Sequence, residues 1–294
     1  MKHRKTLQEL TIKDNFMFGA VMCDEKQCRH FLELALGFPI AQVTVNKEKS
    51  IVYHPQYKGI RLDVYAEDTS HTHYNVEMQA VKKEALPRRA RYYHSQIDME
   101  SLFGGMEYSE LSDSYVIFIC DFDPFDGGKY RYTVCDHCAE LNGRKIDDGR
   151  TTIFLSTRGK NAEEVPKELV MFLNFVKADL EESKKDFADD YVKSLQESIR
   201  SVKRSREMEE RFMLLELMLQ DERREGRTEG RAEGRAEGRA EGRAEAVLSF
   251  LQELGTVSED LKKRIMSEQD LTTLERWLKL SAKAASIEQF KDEM

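Results

Sequence analysis

The stretch from Gly59 to Ala80 constrains this chain more than any other. Its first half, Gly59-Ile60-Arg61-Leu62-Asp63-Val64-Tyr65-Ala66-Glu67, and its second, Asn75-Val76-Glu77-Met78-Gln79-Ala80, both alternate apolar and polar residues, the period of a half-buried β-strand. Asp68-Thr69-Ser70-His71-Thr72 between them is polar and turn-forming, so the whole reads as a hairpin. Centred on Ser70, it sets Asp63 opposite Glu77 and Arg61 opposite Gln79. Directly opposed residues hold their Cβ atoms about 4.5–5.5 Å apart, where like charges repel. A fold that keeps two carboxylates so placed needs a cation between them. Mg²⁺ meets that need: it takes oxygen ligands, uses one or two carboxylates, and leaves room for water and phosphate.

The chain of 294 residues is long enough for two domains, or for one domain with a long appendage. A net charge of −8 is not that of a protein that coats nucleic acid, although it allows a local basic patch. Five cysteines argue against a disulfide framework and for a reducing compartment. No apolar segment of signal-peptide type follows Met1-Lys2-His3-Arg4-Lys5, and no stretch approaches the ~18 apolar residues of a membrane span. The expected location is cytoplasmic, with no membrane partner.

Leu10-Thr11-Ile12-Lys13-Asp14 opens a first helix, with Thr11 and Asp14 spaced as a capping box. A second helix is expected over Glu25–Leu36, stopped by Gly37. Ile51-Val52-Tyr53 reads as a short strand, and a third helix starts near Pro87 and runs towards Gly104-Gly105. Tyr115-Val116-Ile117-Phe118-Ile119-Cys120 is apolar throughout, as in a strand buried on both faces. After the loop Asp121–Gly128, Tyr130–Val134 and Thr152–Leu155 read as strands, and Pro166 leads a helix through Leu169, Phe172, Leu173 and Val176. This order is a mixed α/β layer. From Glu181 the composition becomes that of a long charged helix, in which Met213, Leu214, Leu217 and Met218 form an apolar stripe. The sequence divides into 1–180, a charged helix over 181–224, a repeat over 225–245, and a small helical segment over 246–294.

Hydrolysis of a phosphodiester needs charge neutralisation at the phosphate and an activated water, and a metal held by two carboxylates supplies both. Asp63 and Glu77-Met78-Gln79 are therefore the strongest site signal. Here the sequence resembles a known family. The spacing Asp-x13-Glu-x-Gln, after an acidic helix and before a basic one, is similar to that of the PD-(D/E)XK nuclease superfamily. The words Asp14-Asn15-Phe16-Met17-Phe18, Arg61-Leu62-Asp63-Val64, Asn75-Val76-Glu77-Met78-Gln79, Arg91-Tyr92-Tyr93-His94-Ser95, Tyr115-Val116-Ile117-Phe118-Ile119 and Asp123-Pro124-Phe125 resemble its bacterial recombination-promoting nuclease and transposase family over about residues 7–180. The resemblance implies a restriction-endonuclease-like mixed sheet flanked by helices, here with a long helical C-terminal extension. It implies Asp63 and Glu77 as ligands of Mg²⁺ or Mn²⁺, with the Met78 carbonyl completing the site. Gln79 stands where the superfamily has lysine, and Leu62 where it has proline. An amide orients a water but brings no positive charge. Asp14 matches the acidic residue of the first helix, in competition with its capping role.

Lys82, Lys83, Arg88, Arg89 and Arg91 follow the site, either as a solvated helix face or as contacts to a DNA backbone. Tyr92 and Tyr93 either stack on bases or pack in the core. Cys135-Asp136-His137-Cys138 has the spacing of half a zinc site, but the other half could come only from Cys23 and Cys28, which nothing in the sequence brings near. The repeat Glu225-Gly226-Arg227-Thr228, then Glu-Gly-Arg-Ala to Ala244, places Glu at i+4 to Glu and Arg to Arg, unfavourable within one helix. Between helices, its Gly and Ala rows permit close approach and its Glu and Arg rows pair. The alternatives are a segment for homo-oligomerisation and a flexible linker. The function expected overall is a Mg²⁺-dependent DNA endonuclease in recombination, mobile-element or phage-defence work. The competing expectation is a weak or inactive nuclease-like protein that binds DNA or assembles with itself.

Overall fold

The computed structural model describes residues 5–47, 50–51 and 60–294, without the side chains of 47, 50–51, 60–61, 229, 232 and 233. By its contacts the chain divides into two units, Met1–Phe212 and Met213–Met294.

The first unit opens with helix α1 (Asn15–Met22) and helix α2 (Glu25–Leu36). Asp24 caps α2 by accepting from the Lys26 and Gln27 backbone N–H groups, and Gly37, at φ +85°, ends it in the left-handed conformation that glycine adopts without steric cost. The strands in chain order are β1 (Val43–Lys47), β2 (Ser50–Ile51), β3 (Ile60–Arg61), β4 (Val64–Asp68), β5 (His73–Gln79), β6 (Ser114–Cys120), β7 (Arg131–Val134), β8 (His137–Cys138), β9 (Arg144–Lys145) and β10 (Arg150–Ser156). Six of them form one mixed sheet in the order β1-β4-β5-β6-β10-β7, while β2 pairs with β3 and β8 with β9. Helix α3 (Leu86–Ser101) crosses from β5 to β6, helix α4 (Lys167–Lys177) follows β10, and helix α5 (Asp190–Arg204) closes the unit. This is the restriction-endonuclease-like α/β arrangement expected from the sequence.

The hairpin register is the expected one: Val64 faces Val76, Tyr65 faces Asn75 and Glu67 faces His73. Asp68 fixes the turn, accepting from the backbone N–H groups of Ser70 and Thr72 and from the Tyr74 hydroxyl. Two expectations fail. The first strand is not continuous from Ile60: it breaks at Leu62–Asp63, so Arg61 pairs with Ser50 in a separate ladder instead of facing Gln79. The break has a local cause, because the Asp63 N–H donates to the Glu77 carboxylate, leaving no ladder bond there. The second strand is not half-buried. Every residue of β5 is buried, because β4 and β6 flank it and helices cover both faces. The strand expected at Ile51-Val52-Tyr53 is seen only at Ile51; Val52, Tyr53 and Gly59 lie outside the described residues.

One face of the sheet is covered by α3, whose Leu86, Ala90, Tyr93 and Ile97 pack on Val116, Phe118, Cys120 and Phe154. Residues of the opposite parity, Ile117, Ile119, Ile153 and Leu155, are equally buried. Beyond them Phe31 of α2 meets Phe172 of α4 at 5.3 Å, and Phe172 meets Tyr191 of α5 at 6.0 Å. Each such aromatic side chain contributes about 1.5–3 kcal/mol through burial. Helix α5 therefore belongs to the first unit. The stretch after Glu181 is not one helix: it holds a short 3₁₀ turn at Glu182–Lys184, then α5, then helix α6 from Arg206.

Helix α6 (Arg206–Leu254) runs through the whole repeat. In the second unit its last turns pack with α7 (Glu259–Met266), α8 (Leu271–Ser281) and α9 (Ile287–Glu293) around Val247, Leu251, Ile265, Leu274, Trp277 and Phe290. Met213, Leu214, Leu217 and Met218 are each more than half exposed, at 53–59%. No helix among the described residues is long and apolar enough to cross a membrane.

Candidate active site

The break before β4 brings the two expected carboxylates together. The Asp63 N–H donates to Glu77 Oε1 at 3.2 Å, and the Met78 N–H donates to Asp63 Oδ2 at 3.2 Å. Each acid is thus tied to the other's backbone, so their placement is part of the hairpin and not a matter of side-chain rotamers. Glu77 is fully buried and Gln79 nearly so. Burial, and then the neighbouring Asp63 charge, push the Glu77 carboxyl well above the ordinary carboxylate range, while the Arg89 guanidinium pulls the other way.

Helix α3 delivers that guanidinium. Arg89 donates from Nη2 to Glu77 Oε2 at 2.6 Å, from Nη1 to Gln79 Oε1 at 3.3 Å and from Nε to the Tyr93 hydroxyl at 2.5 Å. It lies 5.0 Å from the Tyr93 ring centroid and 5.8 Å from that of Phe118, within the range of a cation–π contact. Arg89 and Tyr93 are one helical turn apart and act as a pair. The entry to α3 is set by Ala85, held at φ +61°, with Pro87 in the first turn. Of the basic residues expected on one face, Arg89 alone turns inward. Lys82, Lys83, Arg88 and Arg91 are exposed, and Lys82 pairs with Asp126 at 3.3 Å.

The family profile of the PD-(D/E)XK nuclease family transposases matches residues 15–235, well over half of the chain. The chain belongs to this family. No curated protein and no solved structure matches it. In this PD-(D/E)XK protein the matched span holds the whole of the six-stranded sheet together with Asp63, Glu77, Gln79 and Arg89.

The first helix contributes a residue that the sequence pattern did not single out. Asn15 Nδ2 lies 3.3 and 3.4 Å from the two Asp63 carboxylate oxygens. The Asp14 carboxylate instead accepts from the Thr11 N–H at 2.7 Å, from the Thr11 hydroxyl at 3.2 Å and from Lys5 at 2.7 Å. Asp14 therefore holds the turn that enters α1, the capping alternative of the two expected for it. Tyr93 is buried in the core beneath Arg89, and Tyr92 packs at its edge. All five cysteines are free; Cys135 and Cys138 lie at the β8–β9 arm, while Cys28 is buried in α2. Among the described residues no three His, Cys, Asp or Glu side chains converge as a metal site, so the zinc alternative finds no support there.

A divalent ion suits the donors at Asp63 and Glu77. They are oxygens only, and the two carboxylates are opposed, one of them fully buried. Mg²⁺ needs no more than one or two carboxylates with a carbonyl and waters. The carbonyl is available in part: Met78 O accepts from Gln79 Nε2 at 3.0 Å, so the Gln79 amide must turn away before that oxygen can serve. Arg89 already holds the place of a cation beside Glu77. The lysine that the superfamily carries at position 79 is replaced by an amide, and the positive charge arrives from α3.

Proposed function

We propose that the chain is a metal-dependent endodeoxyribonuclease of recombination, mobile-element or phage-defence type, cutting DNA by phosphodiester hydrolysis. The observation that supports this most is the Asp63–Glu77 pair: two carboxylates bonded to each other's backbone N–H groups on adjacent strands, one of them without solvent contact. Asp63, Glu77 and the Met78 carbonyl would hold Mg²⁺ or Mn²⁺, which there supplies charge neutralisation and lowers the pKa of a bound water. Asn15 orients Asp63. Arg89 fixes the Glu77 carboxylate and brings the positive charge that position 79 lacks. Gln79, released from the Met78 carbonyl, orients the attacking water. Lys82, Lys83, Arg88 and Arg91 contact the DNA backbone without reading sequence. Five free cysteines fit a reducing cytoplasm.

The protein is also read as a homo-oligomer through α6. Its exposed stripe at Met213, Leu214, Leu217 and Met218 leads into a repeat whose Glu and Arg rows are complementary to those of a second copy.

The test is supercoiled plasmid with the full chain and Mg²⁺ or Mn²⁺. Nicking that disappears in Asp63→Ala supports the reading. Binding without cleavage in either metal would instead support a nuclease-like DNA-binding protein, a reading favoured by the way Gln79 and Arg89 already occupy Met78 O and Glu77 Oε2.

A further inference from the structure

The parallel strands β5, β6 and β10 end level with one another: Gln79 and Ser156 both stand beside Cys120 in the register. The next residues continue the contact, with the Asp121 N–H donating to Gln79 O and the Thr157 N–H donating to Cys120 O, both at 3.0 Å. In open α/β sheets the crevice outside the carboxyl ends of the strands is where ligands bind. Asp63 and Glu77 occupy that edge at β5. At β6 and β10 the same edge opens into a cavity of about 490 Å³.

Lys13, Arg158, Lys177 and Lys185 line this cavity, against Asp121, Glu182 and Asp186. Asp121 is its fixed point. Its side chain is 12% exposed, and it accepts from Lys13 Nζ at 3.3 Å, from the Thr157 hydroxyl at 2.9 Å and from Arg158 Nη2 at 3.2 Å. One carboxylate against two cations leaves a positive charge facing the opening. Lys13 also donates to Lys177 O at 3.2 Å, covering a carbonyl at the end of α4 that would repel an anion. Glu182 and Asp186 accept from the backbone N–H groups of Asp179 and Ala188, which directs their charge into local turns. Among the described residues Lys177 and Lys185 form no ion pair. The loop that carries Arg158 is pressed against Tyr130: a Cβ at Gly159 would stand 2.5 Å from the Tyr130 backbone nitrogen. The guanidinium is therefore positioned by backbone packing and not only by its partner.

We infer that this cleft is a phosphate-binding subsite for the DNA strand being cut. The inference rests on the nuclease reading given above. Two strand spacings separate the ends of β5 and β10, about 10 Å, which is roughly three nucleotides at 3.4 Å of rise per strand. A backbone that passes Asp63 and Glu77 can thus place a later phosphate between Lys13, Arg158 and Lys185. The subsite carries no sequence information. It fixes the register of the strand on the cutting pair.

The experiment compares the wild-type full chain, Arg158→Ala/Lys185→Ala and Arg158→Lys. Binding of a fluorescent duplex is followed in EDTA over a series of salt concentrations, and inorganic phosphate binding is followed by calorimetry. In the double variant the slope of log K against log[salt] is expected to become shallower by roughly two, one for each lost phosphate contact. Affinity should fall by at least tenfold, and Arg158→Lys should retain the slope. Asp121 keeps Lys13 in the variants, so folding is preserved, and melting curves verify it. An unchanged slope with Asp63-dependent plasmid nicking intact would overturn the subsite and leave the nuclease reading standing. Lost nicking with the slope change present would leave the subsite and remove the catalytic reading. Loss of inorganic phosphate binding in the double variant with an unchanged duplex slope would assign the cleft to free phosphate and overturn the DNA assignment. No duplex binding by the wild type would overturn both.

Discussion

Strand β5 and the repeat of α6 are the two places where this chain spends its charge most deliberately, and they use it in opposite ways. In β5 one carboxylate, Glu77, is sealed from solvent and met by a guanidinium, a backbone N–H and a phenol. In the repeat, glutamates and arginines alternate with glycine and alanine along an exposed helix, and a Cβ at any of its glycines would meet nothing within 4 Å. A buried charge is fixed by its neighbours, because leaving it unpaired is costly. An exposed charge is fixed by very little. Mutation should therefore be sharp in the first region and shallow in the second.

The largest effect is expected at Asp63. Asp63→Ala should abolish plasmid nicking while the melting temperature stays near wild type, since Asp63 lies at a bend and not in the core. Next comes Arg89→Ala, which leaves Glu77 buried without its cation. It should cost about 3–5 kcal/mol in chemical denaturation, and adding Glu77→Gln should restore much of that loss. If Arg89→Ala costs less than 1 kcal/mol, the contrast between the two regions fails.

A third effect depends on pH. His94 is buried between the Ser114 and Thr152 hydroxyls, and burial pulls its pKa down to about 4. Its unfolded value is near 6.5, so the unfolded chain binds the extra proton first as pH falls. Stability is therefore full above about pH 6.5 and declines between pH 6.5 and 4, by up to about 3 kcal/mol. Denaturant midpoints measured across that window should show the decline, and His94→Gln should flatten it.

Smaller effects belong to the helix. Replacing Gly230 and Gly234 by alanine should strengthen it by about 1 kcal/mol each, seen as slower amide exchange through the repeat with nicking unchanged. In the same helix, Leu214→Glu/Leu217→Glu should reduce the oligomer to monomer by light scattering. The smallest change is Ala85→Gly, which relieves a left-handed alanine at the entry to α3 and should raise stability by under about 1 kcal/mol.

What the sequence made legible follows from how local each signal is. The limits of α2 come from Asp24 and Gly37, and the hairpin register from Asp68 and a two-residue period; all of these act within a few residues. The double burial of β6 was legible in its apolar run. The break at Leu62–Asp63 was not, because a side chain from the next strand causes it. Arg89 looked like its basic neighbours, and only packing of α3 on β5 separates it from Lys83 and Arg88. The i, i+4 pair Arg89–Tyr93 was its one sequence signal. Asn15 offered none, since its partner lies on another element. The boundary of the first unit was missed because α5 has a charged composition but buries Tyr191, Val192 and Leu195 in that unit.

The parallel pairing of β5 with β6 also orders events in time. Asp63 and Glu77 meet across a short hairpin, a local closure that needs only residues up to Gln79 and is of the kind that forms within microseconds. The cover over them requires α3 to cross and β6 to add at a distance of some forty positions, and then β10 beside β6, which are the slow, non-local steps of such a topology. During synthesis the two acids are therefore side by side before Arg89 or the far wall of the cleft exists. The nascent chain acquires its acidic pair first and its guard last.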